Sequence, residues 1–467
     1  MTISTHPYMG NSTEGAHERM LSELGATSVD EFFEQIPSDH YGTKGTALPD
    51  GIVSEARLEK HVDGILRANA STRDHLSFLG AGSWQHYVPA VCDEIAGRSE
   101  FLTSVWGTPS SDHGRNQAWF EFASQLGELL ELDFVGLPVY SWGSAGGNAL
   151  RMAARLTGRS RVLVSAAIDP ERRAVIESFL GLPGGPRSIE IVDLALDLNT
   201  GRVDLADLEA KLDETIAGVY IDTPNYLGVL EADAPQIAES VHAVGAEFIV
   251  GVDPISLGIV APPAAYGADI VVGSTQPLGV PLNAGGGVGG FIATRDEERY
   301  AREFPTLQVS IAGTSTPGER AFGMTLFEQS SYGSREDGND WTGNSVYMWA
   351  IRNTVYMALM GPAGFEEIGT TIIANSHAAA KRIAELEGVE VRFTEGFFKE
   401  FVVDFTGTGR TVAEINESLL ADGIFGGKDL STDFPRLGES ALYCITEVHD
   451  VADVDRLLGS LRKAVAR

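Results

Sequence analysis

The stretch 251–291, GVDPISLGIVAPPAAYGADIVVGSTQPLGVPLNAGGGVGGF, holds the residues whose types and spacing could do chemistry. It reads as the end of an apolar strand (246–252), an acidic turn at Asp253-Pro254, a short strand over 270–272, the polar turn Ser274-Thr275-Gln276-Pro277, and a glycine-rich return. A carboxylate at the carboxyl end of a buried strand is placed to pair with a protonated ring nitrogen. An amine on the later turn would complete a Schiff base with an aldehyde, and together these are the requirements of pyridoxal phosphate. Here the acid is present and the amine is not. The turn carries Gln276, and no lysine occurs between Lys211 and Lys381. A Schiff base from that turn is excluded.

The elements that must position Asp253 are legible around it. RVLVSAAI, IEIVDLAL, AGVYIDTP and AEFIVGVD are short apolar, β-branched runs, and helical stretches over 204–212 and 234–244 lie among them. That alternation predicts a mostly parallel sheet covered on both faces. Ligands of such sheets sit beyond the carboxyl ends of the strands, where Asp222-Thr223-Pro224-Asn225-Tyr226 and Asp253 both fall; Asn225 is a candidate for the cleft. Upstream, an apolar approach over 134–139 meets Ser141-Trp142-Gly143-Ser144-Ala145-Gly146-Gly147, with a helix expected over 148–156. Backbone N–H groups at Gly143 and Ser144 would suit a phosphate, although tight helix packing asks for the same small residues. In SFLGAGSWQHYVPAV, His86 and Tyr87 either pack under a surface or line a cleft.

The rest of the chain sets the frame. Residues 1–15 are expected to be disordered. A short helix follows in AHERMLSEL, and Ser28 caps a second that carries Val29, Phe32, Phe33 and Ile36. A Pro/Gly/Thr-rich linker covers 37–53, with a helix over 54–69. Residues 114–133 repeat apolar side chains at helical spacing, a core-facing helix. Residues 305–345 read as a long loop region, in which Glu319-Arg320 and Arg335-Glu336 are either solvated pairs or site and interface charges. Helices over 346–359 and 364–386 lead to VEVRF, EFVVDF and ALYCITE, alternating with helices over 412–420 and 451–466, an α+β pattern. The division expected is an arm and linker (1–53), a large α/β domain (54–345) and a smaller α+β domain (346–467). GGGVGG at 285–290 opens a strand and not a helix, and no GxxxxGK[ST] loop occurs, so nucleotide binding is set aside.

The 467 residues carry a formal net charge of -31, spread along the chain, which argues against nucleic acid or an anionic membrane as a partner. Cys92 and Cys444 stand in no metal-ligand or redox spacing and read as buried free thiols of a cytoplasmic protein. No basic region precedes an apolar run at the N-terminus, and no stretch reaches 18 apolar residues. No metal is expected.

The order of motifs resembles subunit 1 (alpha) of the two-chain glycine dehydrogenase (decarboxylating), the P-protein of the glycine cleavage system. The matching stretches are ERMLSELGATSVDEFFEQIP, SFLGAGSWQHYVPAV, RSEFLTS, QAWFEFASQLGELLELD, FIVGVDPISLGIVAPPAAYGADIVVG, QPLGVPLNAGG, YMALMGP and EGFFKEFVVDF, nearly the whole chain. The resemblance implies the pyridoxal-phosphate aminotransferase fold (fold type I), with a vestigial cofactor site at Asp253, Gln276, Gly143 and Ser144. It puts Gln276 at or near the usual lysine position and implies that this chain holds no catalytic residue of its own. The cofactor is then expected on glycine dehydrogenase subunit 2 (beta), in an α2β2 enzyme that decarboxylates glycine and passes aminomethyl to lipoyl H-protein. Three turns depart from the alpha pattern: Ser110-Ser111-Asp112-His113, Tyr140-Ser141-Trp142-Gly143-Ser144 and Asp337-Gly338-Asn339-Asp340-Trp341. They leave open a paralogous pair acting on another small amino acid, or a non-enzymatic scaffold subunit.

Overall fold

A computed structural model of the chain describes residues 8–40, 49–101, 113–181, 188–325, 335, 342 and 346–466. Two of the departing turns, at 110–112 and 337–341, lie outside these residues, as does Glu336. The chain divides into Met1–Ala70 and Ser71–Arg467.

In the first unit a helix runs Ala16–Glu23 and another Glu55–Leu66. Two expectations are corrected here. The chain from Gly10 to Ser12 forms a 3-10 turn, where disorder was expected. The second helix is a single 3-10 turn, Val29–Phe33, closed by a reciprocal cap between Ser28 and Glu31. Five residues ahead of Pro37 give no second turn to propagate. No described residue of this unit is buried.

The second unit is built on fifteen strands among the described residues. These are β1 (Leu76–Ser77), β2 (Phe134–Val135), β3 (Arg161–Ser165), β4 (Glu190–Leu194), β5 (Ile216–Asp222), β6 (Glu247–Val252), β7 (Ile270–Ser274) and β8 (Gly290–Thr294), then β9 (Gln308–Gly313), β10 (Arg320–Thr325), β11 (Glu390–Arg392), β12 (Glu400–Asp404), β13 (Ile424–Phe425), β14 (Lys428–Asp429) and β15 (Ser440–Cys444). The large sheet has the order β2-β8-β7-β6-β5-β3-β4. It is parallel from β7 through β4 and antiparallel at β8 and β2. Strands β5, β6 and β7 are buried along their whole length, as continuous apolar runs predict for a sheet covered on both sides.

Register then sets three polar residues at the carboxyl edge. Val252 pairs with Gly273, so Asp253 follows level with Ser274, and Asp222, which pairs with Gly251, ends β5 two residues below them. Gly251 is required there. A Cβ on it would come within 2.0 Å of Asp222 Oδ1 and 2.9 Å of Trp142 Nε1.

The smaller sheet, β11-β12-β15-β14, is antiparallel throughout. Its strands alternate as a two-faced sheet should. Phe401, Val403, Ala441 and Tyr443 share a core with Ile415, Leu419, Leu457 and Leu461 of the helices Val412–Ala421 and Val451–Val465. Val402 and Leu442 pack instead with Tyr226, Leu227 and Val229, which follow β5. The small sheet therefore leans on the carboxyl edge of the large one. β1 adds Leu76 and Ser77 in parallel to β13, bringing the following loop to the same place.

The two helices expected over 346–386 are both present within Tyr347–Ile383 and part at Gly361 (φ 55°, ψ -178°), ahead of Pro362. A residue before proline avoids the helical region, and glycine takes the left-handed side freely. The first half enters the core of the large sheet through Tyr347, Ile351 and Tyr356, and the last turns join the small sheet through Ala379 and Ile383. The loop region expected over 305–345 carries an antiparallel hairpin, β9 with β10, whose turn is closed by Thr314 and Glu319. Alternation in QVSIAG and the Pro-Gly turn were the overlooked signals. Glu319 and Arg320 are exposed on it. No described helix is long and apolar enough to cross a membrane.

Candidate active site

Asp253 lies at the carboxyl end of β6 and is 2% exposed. One carboxylate oxygen accepts the Ile255 N–H at 3.1 Å, and the other is paired with the ammonium of Lys399 at 2.7 Å. Lys399 directly precedes β12 of the small sheet. It is equally buried, and its Nζ lies 3.5 Å from the centroid of the Trp84 ring and 3.1 Å from His86 Nε2. A lysine ammonium has no lone pair to offer, so Nε2 of His86 must accept. His86 is thereby held as the Nδ1–H tautomer, and Nδ1 donates to Glu447 at 2.7 Å. Burial would raise Glu447, but the hydrogen bonds from His86 and the Tyr87 N–H outweigh it and hold its carboxyl below the usual carboxylate range. The chain Asp253–Lys399–His86–Glu447 thus joins four segments that are remote in sequence.

A second buried cation stands beside it. Arg172, on the helix Pro170–Leu180, pairs with Asp222 at the end of β5 and lies 3.5 Å over the ring of Trp142. Burial would lower Arg172, but the Asp222 carboxylate keeps it a cation. Tyr220 donates its hydroxyl to the other oxygen of Asp222 at 2.7 Å, so both oxygens are used. Trp84 and Trp142 face one another with ring centres 6.1 Å apart. Glu400, next to Lys399, is pushed up to about 7 by burial, against the opposing pull of the Ala81 N–H and Lys399.

The residues singled out from sequence fare differently. Gln276 is buried, with every polar valence aimed at neighbouring backbone. Its oxygen accepts the Trp84 N–H at 3.1 Å, and its nitrogen donates to the carbonyls of Trp84 at 2.9 Å and Val280 at 3.1 Å. It ties the 79–89 loop over the strand ends. His86 is in the cluster, whereas the Tyr87 side chain is 65% exposed and outside it. Asn225 borders the cleft, but its side chain is spent on Gly201, Leu227 and Val229 in the turn after β5.

Gly143 and Ser144 open the helix Trp142–Thr157, and Ser144 forms a reciprocal cap with Ser141. A Cβ at Gly143 would meet Val175 at 2.9 Å, and one at Gly147 would meet Phe179 at 2.6 Å. The glycines are there because two helices pack closely. Of the groups that matter, sequence reasoning passed over Trp142, Arg172, Lys399, Glu400 and Glu447. Lys399 had a signal, a lone cation within the apolar run FFKEFVV.

Pyridoxal phosphate, which the fold implies, does not fit among these residues. Its ring nitrogen would need Asp253, already paired with Lys399, and its aldehyde would meet Gln276. The space left between Trp84, Trp142, Arg172, Asn225, Lys399 and Glu400 is about 20 Å³. That admits about one water, against the ~300 Å³ or more of a small-molecule site.

Comparison with known proteins places the chain. The family model for the glycine cleavage system P-protein matches residues 6–460. The probable glycine dehydrogenase (decarboxylating) subunit 1 of Staphylothermus marinus is 35% identical over 469 residues, covering 98% of each chain. Its counterpart in Saccharolobus islandicus is 35% identical with the same coverage. A crystal structure of glycine decarboxylase (P-protein) in inhibitor-bound form superposes with a TM-score of 0.86 at 29% identity, covering 99% of this chain and 100% of that one. A sphingosine-1-phosphate lyase of Burkholderia pseudomallei, TM-score 0.63 at 13% identity over 91% of this chain and 94% of its own, shares the fold alone.

Proposed function

The chain belongs to the glycine cleavage system P-protein family and has its fold, and from that premise we propose that it is the alpha, non-lysine-bearing subunit of a glycine dehydrogenase (decarboxylating). In this reading it pairs with a beta subunit that carries pyridoxal phosphate. The pair decarboxylates glycine and hands aminomethyl to lipoyl H-protein in the cytoplasm. Gln276 carries the reading. It stands on the turn after β7 where an amine is needed, and its side chain is committed to Trp84 and Val280. An amide forms no Schiff base.

What this chain contributes is then shape. Its strand ends and small sheet offer a rigid body for the partner, and its own buried site is closed to substrate. The test is reconstitution. The chain alone should show no glycine–bicarbonate exchange, and co-expression with a lysine-bearing beta chain and lipoyl H-protein should produce it. Exchange by the lone chain, or none by the pair while the beta chain is loaded with cofactor, would sink this reading.

A further inference from the structure

An emptied cofactor site normally leaves a buried acid without its partner, which is costly. Asp253 here is not left so. The ring nitrogen that such an acid holds is a cation with a flat, apolar body, bound between the carboxylate and a stacking face. Lys399 supplies the cation between carboxylate and aromatic face from within the chain. Its ammonium is 2.7 Å from Asp253, its charge lies 3.5 Å over the Trp84 indole, and it is 2% exposed.

We propose that Lys399 is a tethered occupant of the cofactor position, its ammonium standing in for the protonated ring nitrogen on Asp253, so that the retained acid holds the small sheet against the large one.

Three further observations bear on this. Lys399 precedes β12, and its carbonyl accepts the Ile445 N–H at 2.8 Å, so the side chain that enters the site is anchored in the small sheet. Asp253 belongs to the large sheet, and the ion pair therefore spans the two layers. His86 Nε2 accepts a hydrogen bond from the ammonium while Nδ1 donates to Glu447, so the buried charge has a hydrogen-bonded partner besides its ion pair. Last, the 20 Å³ that remains is water-sized, as expected if the pocket has been filled and not merely lost its lysine. Gln276 completes the closure by holding the Trp84 loop down.

This goes beyond the subunit reading and does not depend on which amino acid the pair would use. The test therefore reads the full-length chain directly and not glycine turnover. Wild-type chain incubated with excess pyridoxal phosphate and desalted should retain none by absorbance. In the native chain an amine-reactive label should modify Lys211, Lys428 and Lys463 at least tenfold faster than Lys399, read by peptide mass spectrometry. Lys399→Ala should lower the thermal midpoint by several degrees, and propylammonium chloride should restore part of that loss where sodium chloride does not. Lys399→Met should likewise lower the midpoint, and Lys399→Met with Asp253→Leu should recover most of that loss, because no charge is then left alone. Stoichiometric retention of pyridoxal phosphate by the wild type would overturn the proposal. Labelling of Lys399 at the rate of the exposed lysines would do the same. So would a Lys399→Met, Asp253→Leu chain no more stable than Lys399→Met alone. The retention and labelling measurements decide the matter even if a variant fails to fold.

Discussion

Two buried cations lie side by side in this protein, and they are built differently. Arg172 over Trp142 is made within one layer: its helix, the start of the Trp142–Thr157 helix and the end of β5 all belong to the α/β body. Lys399 over Trp84 is made between layers, with its acid on the large sheet, its lysine on the small sheet and its indole on the loop after β1. Each has a carboxylate at a strand end and an aromatic face, so the chemistry is nearly the same. The first pair is therefore a condition for the large sheet's helices to dock. The second is a condition for the two sheets to dock, and it is also where the cofactor of this fold would lie. One motif serves local packing and the other joins the two sheets.

The comparison breaks most sharply at Arg172. Arg172→Met leaves Asp222 and Tyr220 facing each other without a cation, and breaking a buried pair in this way costs about 3–5 kcal/mol. Denaturant unfolding should show that loss. Neutralising Asp222 as well (Arg172→Met with Asp222→Asn) should recover part of it.

Glu400 gives the next effect and probes the other limb. Its native pKa, pushed up to about 7 from 4.5, means that the folded chain binds more protons than the unfolded chain between those values. Its contribution is therefore fully present below pH 4.5 and falls as pH rises to 7, by on the order of 3 kcal/mol. Glu447, held below the usual carboxylate range, acts in the opposite sense, and its contribution is lost only as pH falls below 4.5. Glu400→Gln keeps an acceptor for the Ala81 N–H and removes the charge. The stability gap between variant and wild type should rise by about that amount from pH 4.5 to pH 8, read by urea titration at each pH. A flat gap would show that Glu400 titrates alike in the folded and the unfolded chain.

Gln276→Ala strips three hydrogen bonds that hold the Trp84 loop. Each orphaned backbone group costs about 1–3 kcal/mol if it stays dry, and relaxation of an irregular loop should bring the total to about 2 kcal/mol by the same measurement. Faster labelling of Lys399 in this variant would show that the loop is the lid over the second limb. Smallest of all, Tyr87→Ala should change stability by less than about 0.5 kcal/mol, since its ring is exposed. A loss of reconstituted activity with unchanged folding would instead place Tyr87 at the partner's surface.

The sequence was informative wherever one residue's neighbours in the chain are its neighbours in space. Apolar runs named the strands of the large sheet, and strand-end reasoning brought out Asp222 and Asp253. The missing lysine at the Ser274–Pro277 turn was readable without any structure. The cap at Ser28 is likewise local, closed by Glu31 three residues on. Reading failed where periodicity is interrupted or shared. A hairpin with a six-residue turn read as a loop. The small residues of 143–147 look alike whether a phosphate or a helix is to approach them; only Val175 and Phe179, some thirty residues on, decide it.

What the tertiary structure alone decided is how the buried acid Asp253 is answered. Lys399 is 146 residues from Asp253 and 313 from His86, and no local pattern links them. The attraction between two charges depends on distance and on the exclusion of water, and both arise only when the small sheet closes on the large one. From the chain alone follow the fold, the acid at the strand end and the absent amine. That the acid is answered by a different lysine, from beside the other sheet, is set by how the layers meet.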